Sequence, residues 1–357
     1  MTDKLFTFGA DAVRAYIRAL FAKAGWPDRD CAITADHLVQ SDQSGHPSHG
    51  VGMVPTYVEA IVRGDLKPSS KANEKFRAGS ILVLEGHTAL GQPAAHDAVE
   101  AGIAIAREHG VAVVNLLHAH HIGRIGTYAE QAAQADMVGL FWVNVASTRA
   151  AVAPWGGRER RYGTNPQAIG IPRPGAQPFL LDFATSRIAV GKTRVAWLQG
   201  KRVPLGAVVD SEGRLTDDPG VLFPEYTGAL NPFGEHKGYG LAMASELLSS
   251  IFGGGETIAE SRDSQRIHNS MLAIIIDPAK FGGAAGDWKA RVERFIEWTK
   301  SSAPSENAME VLAPGDPEFR ARALFGDQVR YDEQSWKQIA EAGLKVGLSQ
   351  AEIPNPA

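Results

Sequence analysis

The segment HAHHIGRIG, residues 118–126, sets three imidazoles and a guanidinium within seven positions: His118, His120, His121 and Arg124. An imidazole exchanges a proton near neutral pH, and a guanidinium is a permanently charged, two-pronged donor to an anion. A packed core has little use for either. Three chemistries fit the spacing. His-x-His with a third histidine can bind a metal ion, although no acidic residue completes the set nearby and H-E-x-x-H is absent. One imidazole can act as a general acid or base. Or the rings can simply hydrogen-bond backbone carbonyls around a turn. Arg124 favours the second, because a small organic acid needs a cationic grip for its carboxylate and a proton source for the adjacent oxygen. Equally, Arg124 could pair with Glu130 on its own helix.

A second candidate lies in HPSHGVGM, residues 46–53. Ser48 is expected to cap a helix starting near residue 51, with His49 projecting from the helix start. A loop histidine alone is most often a solvated surface residue; the presence of a second polar histidine cluster strengthens the catalytic reading. Asp182 closes the apolar run FLLDF ahead of small residues, where an acid can orient a histidine, hold a cofactor hydroxyl or cap a helix. Lys237, in EHKGYG at the mouth of a helix, can pair with a phosphate or stand in solvent.

Hydrophobic period predicts the elements that position these groups. Three amphipathic helices are expected over 10–24, 28–42 and 51–63, interrupted by Gly25-Trp26-Pro27 and by SDQSGHPSHG. ILVLE at 81–85 and VAVVNLL at 111–117 read as strands flanking a helix over 91–108, which puts HAHHIGRIG on a strand-to-helix turn whose Gly123 and Gly126 admit close approach. Strands at 138–145, 179–183 and 271–277 and helices to 136, from 187 and over 237–252 continue an α/β middle, with loops at 147–167 and 210–220. From 288 the chain reads as helical, apart from 306–319. Helical ends around an α/β middle predict one domain of residues 1–125 with 300–357 and another of 126–299.

Composition narrows the partners. The chain has 357 residues, 44% apolar and 21% charged, and a net charge of −4 without a basic run, so nucleic acid and membrane are not expected partners. No signal-peptide layout is seen, and no apolar run approaches the roughly 20 residues that cross a bilayer. The single cysteine, Cys31, is expected as buried packing, and the cytoplasm is the default compartment. No G-x-G-x-x-G turn follows an early strand, and the P-loop and G-x-S-x-G elbow are absent.

Together, SHGVGMVPTYVEAI, HHIGRIGTYAEQAA, RYGTNP, LLDFATS, GKTRVAW and EHKGYGLA resemble the malate/L-lactate dehydrogenase-like family of NAD(P)-dependent reductases that lack the Rossmann fold. The blocks stand in the same order, and the resemblance covers nearly the whole chain. It implies a non-Rossmann α/β fold: a helical domain built from both chain ends and a central α/β domain with a mixed sheet, in a homodimer. It also implies NAD bound between the domains, with NADP kept open by Arg149, Arg158, Arg160 and Arg161. By the same resemblance His121 transfers the proton, and Ser48 and His49 line the nicotinamide and substrate. Gly123, Arg124, Ile125, Asp182, Phe183, Ala184 and Lys237 match cofactor-contacting positions, as do Asn269, Pro314, Gly315 and Asp316.

One departure is informative. Many family members carry an arginine five residues after the serine, where it grips the substrate carboxylate; here that residue is Met53, and Arg124 stands where such members have a small or apolar residue. The exchange predicts an anchor moved to Arg124, with Met53 as an apolar surface for a bulky or aryl substrate. The expected reaction is reversible reduction of a 2-oxo acid to a 2-hydroxy acid, with Asp182 fixing the nicotinamide end or the imidazole. The rivals are a cyclic imino-acid reductase, a metal-dependent hydrolase built on His118, His120 and His121, and a non-catalytic ligand-binding protein.

Overall fold

In the computed structural model, which describes residues 5–146, 150–261, 267–281 and 287–357, strand β1 (Leu5–Gly9) leads into helices α1 (Ala10–Lys23), α2 (Asp28–Gln43) and α3 (Val54–Arg63). Apolar residues recur on each helix at its own period: Val13, Ile17 and Leu20 on α1, Leu38 and Val39 on α2, Val54 and Val58 on α3. They meet in one core. Fully burying a side chain of this size contributes about 1.5–3 kcal/mol, which holds short helices that would be marginal alone.

The middle of the chain runs β2 (Asn73–Ala78), β3 (Ile81–Glu85), α4 (Gly91–His109), β4 (Val111–Ala119), α5 (Gly126–Gln134), β5 (Val138–Ala146), β6 (Gln167–Ile171) and β7 (Phe179–Phe183). Then come α6 (Val190–Leu198), β8 (Val208–Val209), β9 (Leu215–Thr216), β10 (Ala229–Leu230), α7 (His236–Ser249), β11 (His268–Ile276) and α8 (Trp288–Lys300). The chain ends with α9 (Asp316–Phe325), β12 (Gln328–Asp332) and α10 (Glu333–Lys345).

Seven strands form one sheet in the order β2-β3-β4-β11-β5-β6-β7. Only β3 and β4 pair in parallel, joined by the α4 crossover; every other pairing is antiparallel. The sheet is therefore mixed, as expected. Side chains alternate across it. Val114, Phe141, Val143, Met271, Ala273 and Ile275 join the core beneath α4 and α5. On the opposite face Asn115 and Asn144 reach α7: Asn115 Nδ2 donates to Ser249 O at 2.8 Å and Asn144 Nδ2 to the Glu246 carboxylate at 3.1 Å. A small three-stranded sheet, β10-β8-β9, stands apart.

The carboxyl end returns to the first core. β12 pairs antiparallel with β1, and Val329 and Ile339 pack among the residues of α1 to α3. Both chain ends thus build the helical unit. Strand β4, on the amino-terminal side of the division expected at residue 125, pairs with β11 at the middle of the sheet, because an apolar strand needs partners along both edges.

Other elements differ from expectation. The helix expected from residue 51 begins at Val54, behind short 3₁₀ turns at Pro47–His49 and Val51–Met53. The strand expected to end at 117 continues to Ala119, so His118, with φ of 48°, lies within it. β2 is exposed along its whole length and carries no alternation to read. Cys31 is fully buried, its thiol pushed by burial up to about 11. Among the described residues no helix is long and apolar enough to cross a membrane.

Candidate active site

Residues 120–125 turn from β4 into α5, and both units clamp that turn. From the sheet, Asn269 Oδ1 accepts from Ile122 N at 2.9 Å while its Nδ2 donates to Asn144 O at 2.9 Å. From the helical unit, His37 of α2 accepts from Arg124 N at 2.9 Å. Gly123 stands at φ 79°, in the left-handed region, and any side chain there would collide with the His37 ring. Burial, aided by the Arg124 charge, pushes His37 down to about 3, which keeps it a neutral acceptor.

The three histidines of the segment diverge. His118 is held at both nitrogens: Nδ1 lies 2.8 Å from Glu85 Oε1, and Nε2 accepts from Glu256 N at 3.2 Å. His120 is buried, edge-on to the Tyr57 ring at 5.6 Å, and its Nδ1 has no hydrogen-bond partner among the described residues. His121 Nδ1 lies 2.7 Å from Tyr57 Oη, which accepts from Gln92 Nε2 at 2.8 Å. Among the described residues no group of three His, Cys, Asp or Glu is placed to hold a metal ion. Geometry gives the metal reading of this segment no support.

His121 instead faces the second candidate. Its ring stacks on that of His49 with centroids 5.8 Å apart and planes 14° from parallel. His49 Nδ1 is 3.1 Å from Ser48 Oγ. Each ring is thus engaged at Nδ1, and among the described residues neither Nε2 has a hydrogen-bond partner. Burial drives both imidazoles toward the neutral form. His49 falls to about 4, and His121 lies well below its ordinary value, lowered further by His49, His120 and His37.

The helix cap expected of Ser48 is not formed. Ser48 is exposed, against Gly191 at the start of α6, and Val51 N donates to Asp42 Oδ2 at 3.0 Å instead. Asp42 is already fixed there by the Tyr331 hydroxyl of β12, which donates to the same oxygen at 2.8 Å. Burial pushes this carboxyl up to about 7 despite its two donors.

Arg124 is the largest fully buried side chain, at 2% exposure. Its Nε lies 3.1 Å from Asp182 Oδ2, a distance that makes an ion pair but not a well-aligned hydrogen bond, and all three guanidinium nitrogens lack hydrogen-bond partners among the described residues. Pairing with Glu130 is not what the structure shows, because Arg322 of α9 takes that carboxylate at 2.6 and 2.7 Å. Asp182 Oδ2 also accepts from Gly126 N at 3.1 Å, so it pins the first residue of α5. A Cβ at Gly126 would strike both charged groups.

The remaining expected contact residues come from the turns before α3 and α5, the end of β7, the first turn of α7 and the start of α9. Ile125 is buried in the sheet core, Met53 is half-buried against the helical core, and Ala184 follows the end of β7. Phe183 meets Phe233 edge-on at 5.6 Å, and Lys237 is exposed in the first turn of α7. Pro314 O accepts from Leu180 N at 3.1 Å, and Gly315 stands at φ 97°. Asp316 is occupied by Lys300 at 2.6 Å and Ala313 N at 3.0 Å. The side chains of Asn269 and Asp316 are therefore committed within the chain. Arg158, Arg160 and Arg161 line a surface depression of about 440 Å³ beside the small sheet, away from the histidines; Arg149 lies outside the described residues.

Tyr57, Gln92, His37 and Asp42 escaped the sequence reading. Tyr57 and His37 fall on the apolar stripes of their helices, where period alone counts them as core. Gln92, fully buried in the first turn of α4, carried the one usable signal: a polar residue at a core position needs a partner.

Two free imidazole nitrogens and a buried guanidinium with unfilled donors suit a ligand rich in oxygen acceptors. The sequence profile of the malate/L-lactate dehydrogenase family matches residues 8–340. The chain is 41% identical over 347 residues to hydroxycarboxylate dehydrogenase B of Escherichia coli K12, covering 96% of this chain and 94% of that protein. Its fold superimposes on sulfolactate dehydrogenase from Methanocaldococcus jannaschii with a TM-score of 0.88 at 33% identity, over 98% and 99% of the two chains. It also matches delta1-piperideine-2-carboxylate reductase from Pseudomonas syringae, with a TM-score of 0.80 at 27% identity, over 94% and 99%. A family match over nearly the whole chain, on a sheet of the same build, leads to one conclusion: the protein belongs to the malate/L-lactate dehydrogenase family and is an oxidoreductase acting on CH–OH groups.

Proposed function

We propose that the protein interconverts a 2-oxo acid and the corresponding 2-hydroxy acid, with His121 carrying the proton and Arg124 gripping the carboxylate. The observation that carries this reading is the stacked pair His49 and His121, each engaged at Nδ1 and, among the described residues, free at Nε2, beside a guanidinium whose donors those residues leave unfilled. A buried polar group without a partner costs about 1–3 kcal/mol, and a carboxylate supplies the missing acceptors. The relatives are named for hydroxycarboxylate, sulfolactate and piperideine-2-carboxylate, and each of these carries an acid group.

A nicotinamide cofactor, when bound, supplies the hydride that reaches C2. His121 gives its Nε2 proton to the nascent alkoxide, and His49, aligned by Ser48, holds the carbonyl oxygen. Asp182 keeps Arg124 and the start of α5 in place. Gly123, Ile125, Phe183, Ala184, Lys237, Asn269 and the loop Pro314-Gly315-Asp316 belong to the cofactor side of this proposal, with Asn269 and Asp316 shaping backbone rather than offering side chains. Met53 leaves an apolar wall for a bulky substrate. NAD is the proposed cofactor: Arg161 is paired with Glu159 and Arg160 lies 5.2 Å over the Tyr226 ring, which supports NAD over NADP. Self-association belongs to the same proposal, supported by exposed Met243 and Leu247 on α7 and Ile251 and Phe252 in the 3₁₀ turn after it.

The test follows NADH and NADPH absorbance against a panel of 2-oxo acids and cyclic imines. Oxidation of NADH by a bulky 2-oxo acid is expected. The Pseudomonas syringae match gives the cyclic imine a specific claim, and turnover of imines alone would replace the substrate named here. Loss of activity on treatment with a chelator would overturn the proton mechanism.

A further inference from the structure

We propose that Tyr57 and Gln92 are positioning residues whose hydrogen-bond chain reverses direction when His121 leaves its resting Nε2–H tautomer for the Nδ1–H forms that exchange a proton with the substrate. The inference rests on His121 as the proton carrier.

In the structure Gln92 Nε2 donates to Tyr57 Oη at 2.8 Å, and Tyr57 Oη lies 2.7 Å from His121 Nδ1. A phenol has one proton, so the arrangement that leaves no donor idle sends it to His121 Nδ1. The ring proton then sits on Nε2. This direction can orient a ketone, but it serves neither proton step. To give up its Nε2 proton the ring must also be protonated at Nδ1, and to accept a proton from a hydroxy acid its Nε2 must be bare, which again puts the ring proton on Nδ1. Both states require Nδ1–H to donate to Tyr57 Oη, and the phenol proton must then go elsewhere.

Gln92 Oε1 is the place for it. That oxygen is buried and has no hydrogen-bond partner among the described residues, while Gln92 and Tyr57 are both fully buried. A half-turn of the amide exchanges Nε2 for Oε1 with almost no change in shape. Tyr57 O–H then donates to Gln92 Oε1 and accepts from His121 Nδ1–H. Each direction leaves one amide atom unfilled, so the two are close in free energy. In reduction the Nε2–H bond breaks and the proton joins the alkoxide formed as the hydride reaches C2. The neutral ring keeps its other proton on Nδ1, and a solvent proton later restores Nε2–H. Oxidation runs the same steps backwards.

The groups around His121 make such a chain necessary. His49 from the 47–49 turn, His120 beside it and His37 from α2 all face the ring, and burial together with these three imidazoles disfavours its charged form. Asp182 acts on His49 rather than on His121. Stabilising the charged ring therefore falls to Tyr57.

The test compares Tyr57→Phe, Gln92→Met and Gln92→Glu by the pH profile of kcat/KM for reduction. It adds ¹⁵N NMR of His121 in the ligand-free protein, its signal identified by its loss in His121→Asn. Tyr57→Phe is expected to lose roughly 10-fold in kcat, the worth of one hydrogen bond, and to move the falling limb of reduction to lower pH. Gln92→Met should move it the same way by less. Gln92→Glu should move it to higher pH, because a carboxylate takes the phenol proton, and should shift the ring proton to Nδ1 in the spectrum. If both Gln92 variants move the limb in one direction, or melt at lower temperature with the limb and spectrum unmoved, the pair is packing and the inference falls. A His121→Asn variant that keeps kcat would instead sink His121 as proton carrier, whatever Tyr57 does.

Discussion

His118 and His121 are three residues apart in one motif, yet the fold treats them in opposite ways. His118, still within β4, is bonded at both nitrogens, to Glu85 and to the Glu256 amide. His121, past the end of the strand, is bonded at one and faces His49, its other nitrogen without a partner among the described residues. What separates the two rings is a single nitrogen that lacks a partner among the described residues, and it is on that nitrogen that we propose the proton is carried. The difference follows the end of the strand at Ala119: His118 lies within it and its ring reaches Glu85 and Glu256, whereas His121 lies in the turn beyond it and its ring meets Tyr57 and His49.

The sharpest way to break this contrast is to remove each ring. His121→Ala should lose about 10²- to 10⁴-fold in kcat, the usual worth of a positioned acid, with little change in cofactor affinity. His118→Gln should keep kcat and lose about 1–2 kcal/mol of stability in thermal melts, since it leaves the Glu85 carboxylate short of a partner. Equal losses of kcat in the two variants would erase the distinction.

Next in size is Arg124→Met. A charge-assisted bidentate contact contributes roughly 1.5–3 kcal/mol, so KM for the 2-oxo acid should rise about 10- to 100-fold while cofactor affinity holds. Steady-state kinetics beside direct cofactor titration separate the two. Collapse of cofactor affinity would reassign Arg124 to the cofactor.

The smallest effect is on stability against pH. His37, His49, His120 and His121 are all depressed in the folded protein, to about 3, 4 and 4 for the first three and well below normal for His121. A depressed imidazole contributes stability that is complete above its unfolded pKa of about 6.5 and is lost as pH falls toward the folded value, because the unfolded chain takes up the proton first. Melting temperature should therefore decline from about pH 6.5 towards pH 4. His37→Gln, which abolishes one such site, should flatten that decline; an unchanged slope would show that His37 is not held neutral.

Much of the helical unit was legible because α1, α2 and α3 carry strong apolar stripes. The buried strands β4, β5 and β11 were legible as apolar runs, whereas β2 was not, being exposed throughout. Of the site, the His-rich turn and the Ser48-His49 pair stood out by residue type. The partners that give them direction did not. Tyr57, Gln92 and Asp42 come from three different helices, and nothing in their local sequence marks them as neighbours of a histidine turn.

The sequence by itself determined which residues can do chemistry, where the strong helices and buried strands lie, and to which family the pattern of motifs points, since these depend on side-chain type and short-range period. The tertiary structure alone decided that Arg124 pairs with Asp182 rather than Glu130, that Ser48 aligns His49 instead of capping a helix, and that the three histidines serve different ends. Apart from the contact between neighbours Ser48 and His49, those outcomes depend on residues tens to hundreds of positions apart. Burial and hydrogen bonding are settled only when the elements that carry them have packed.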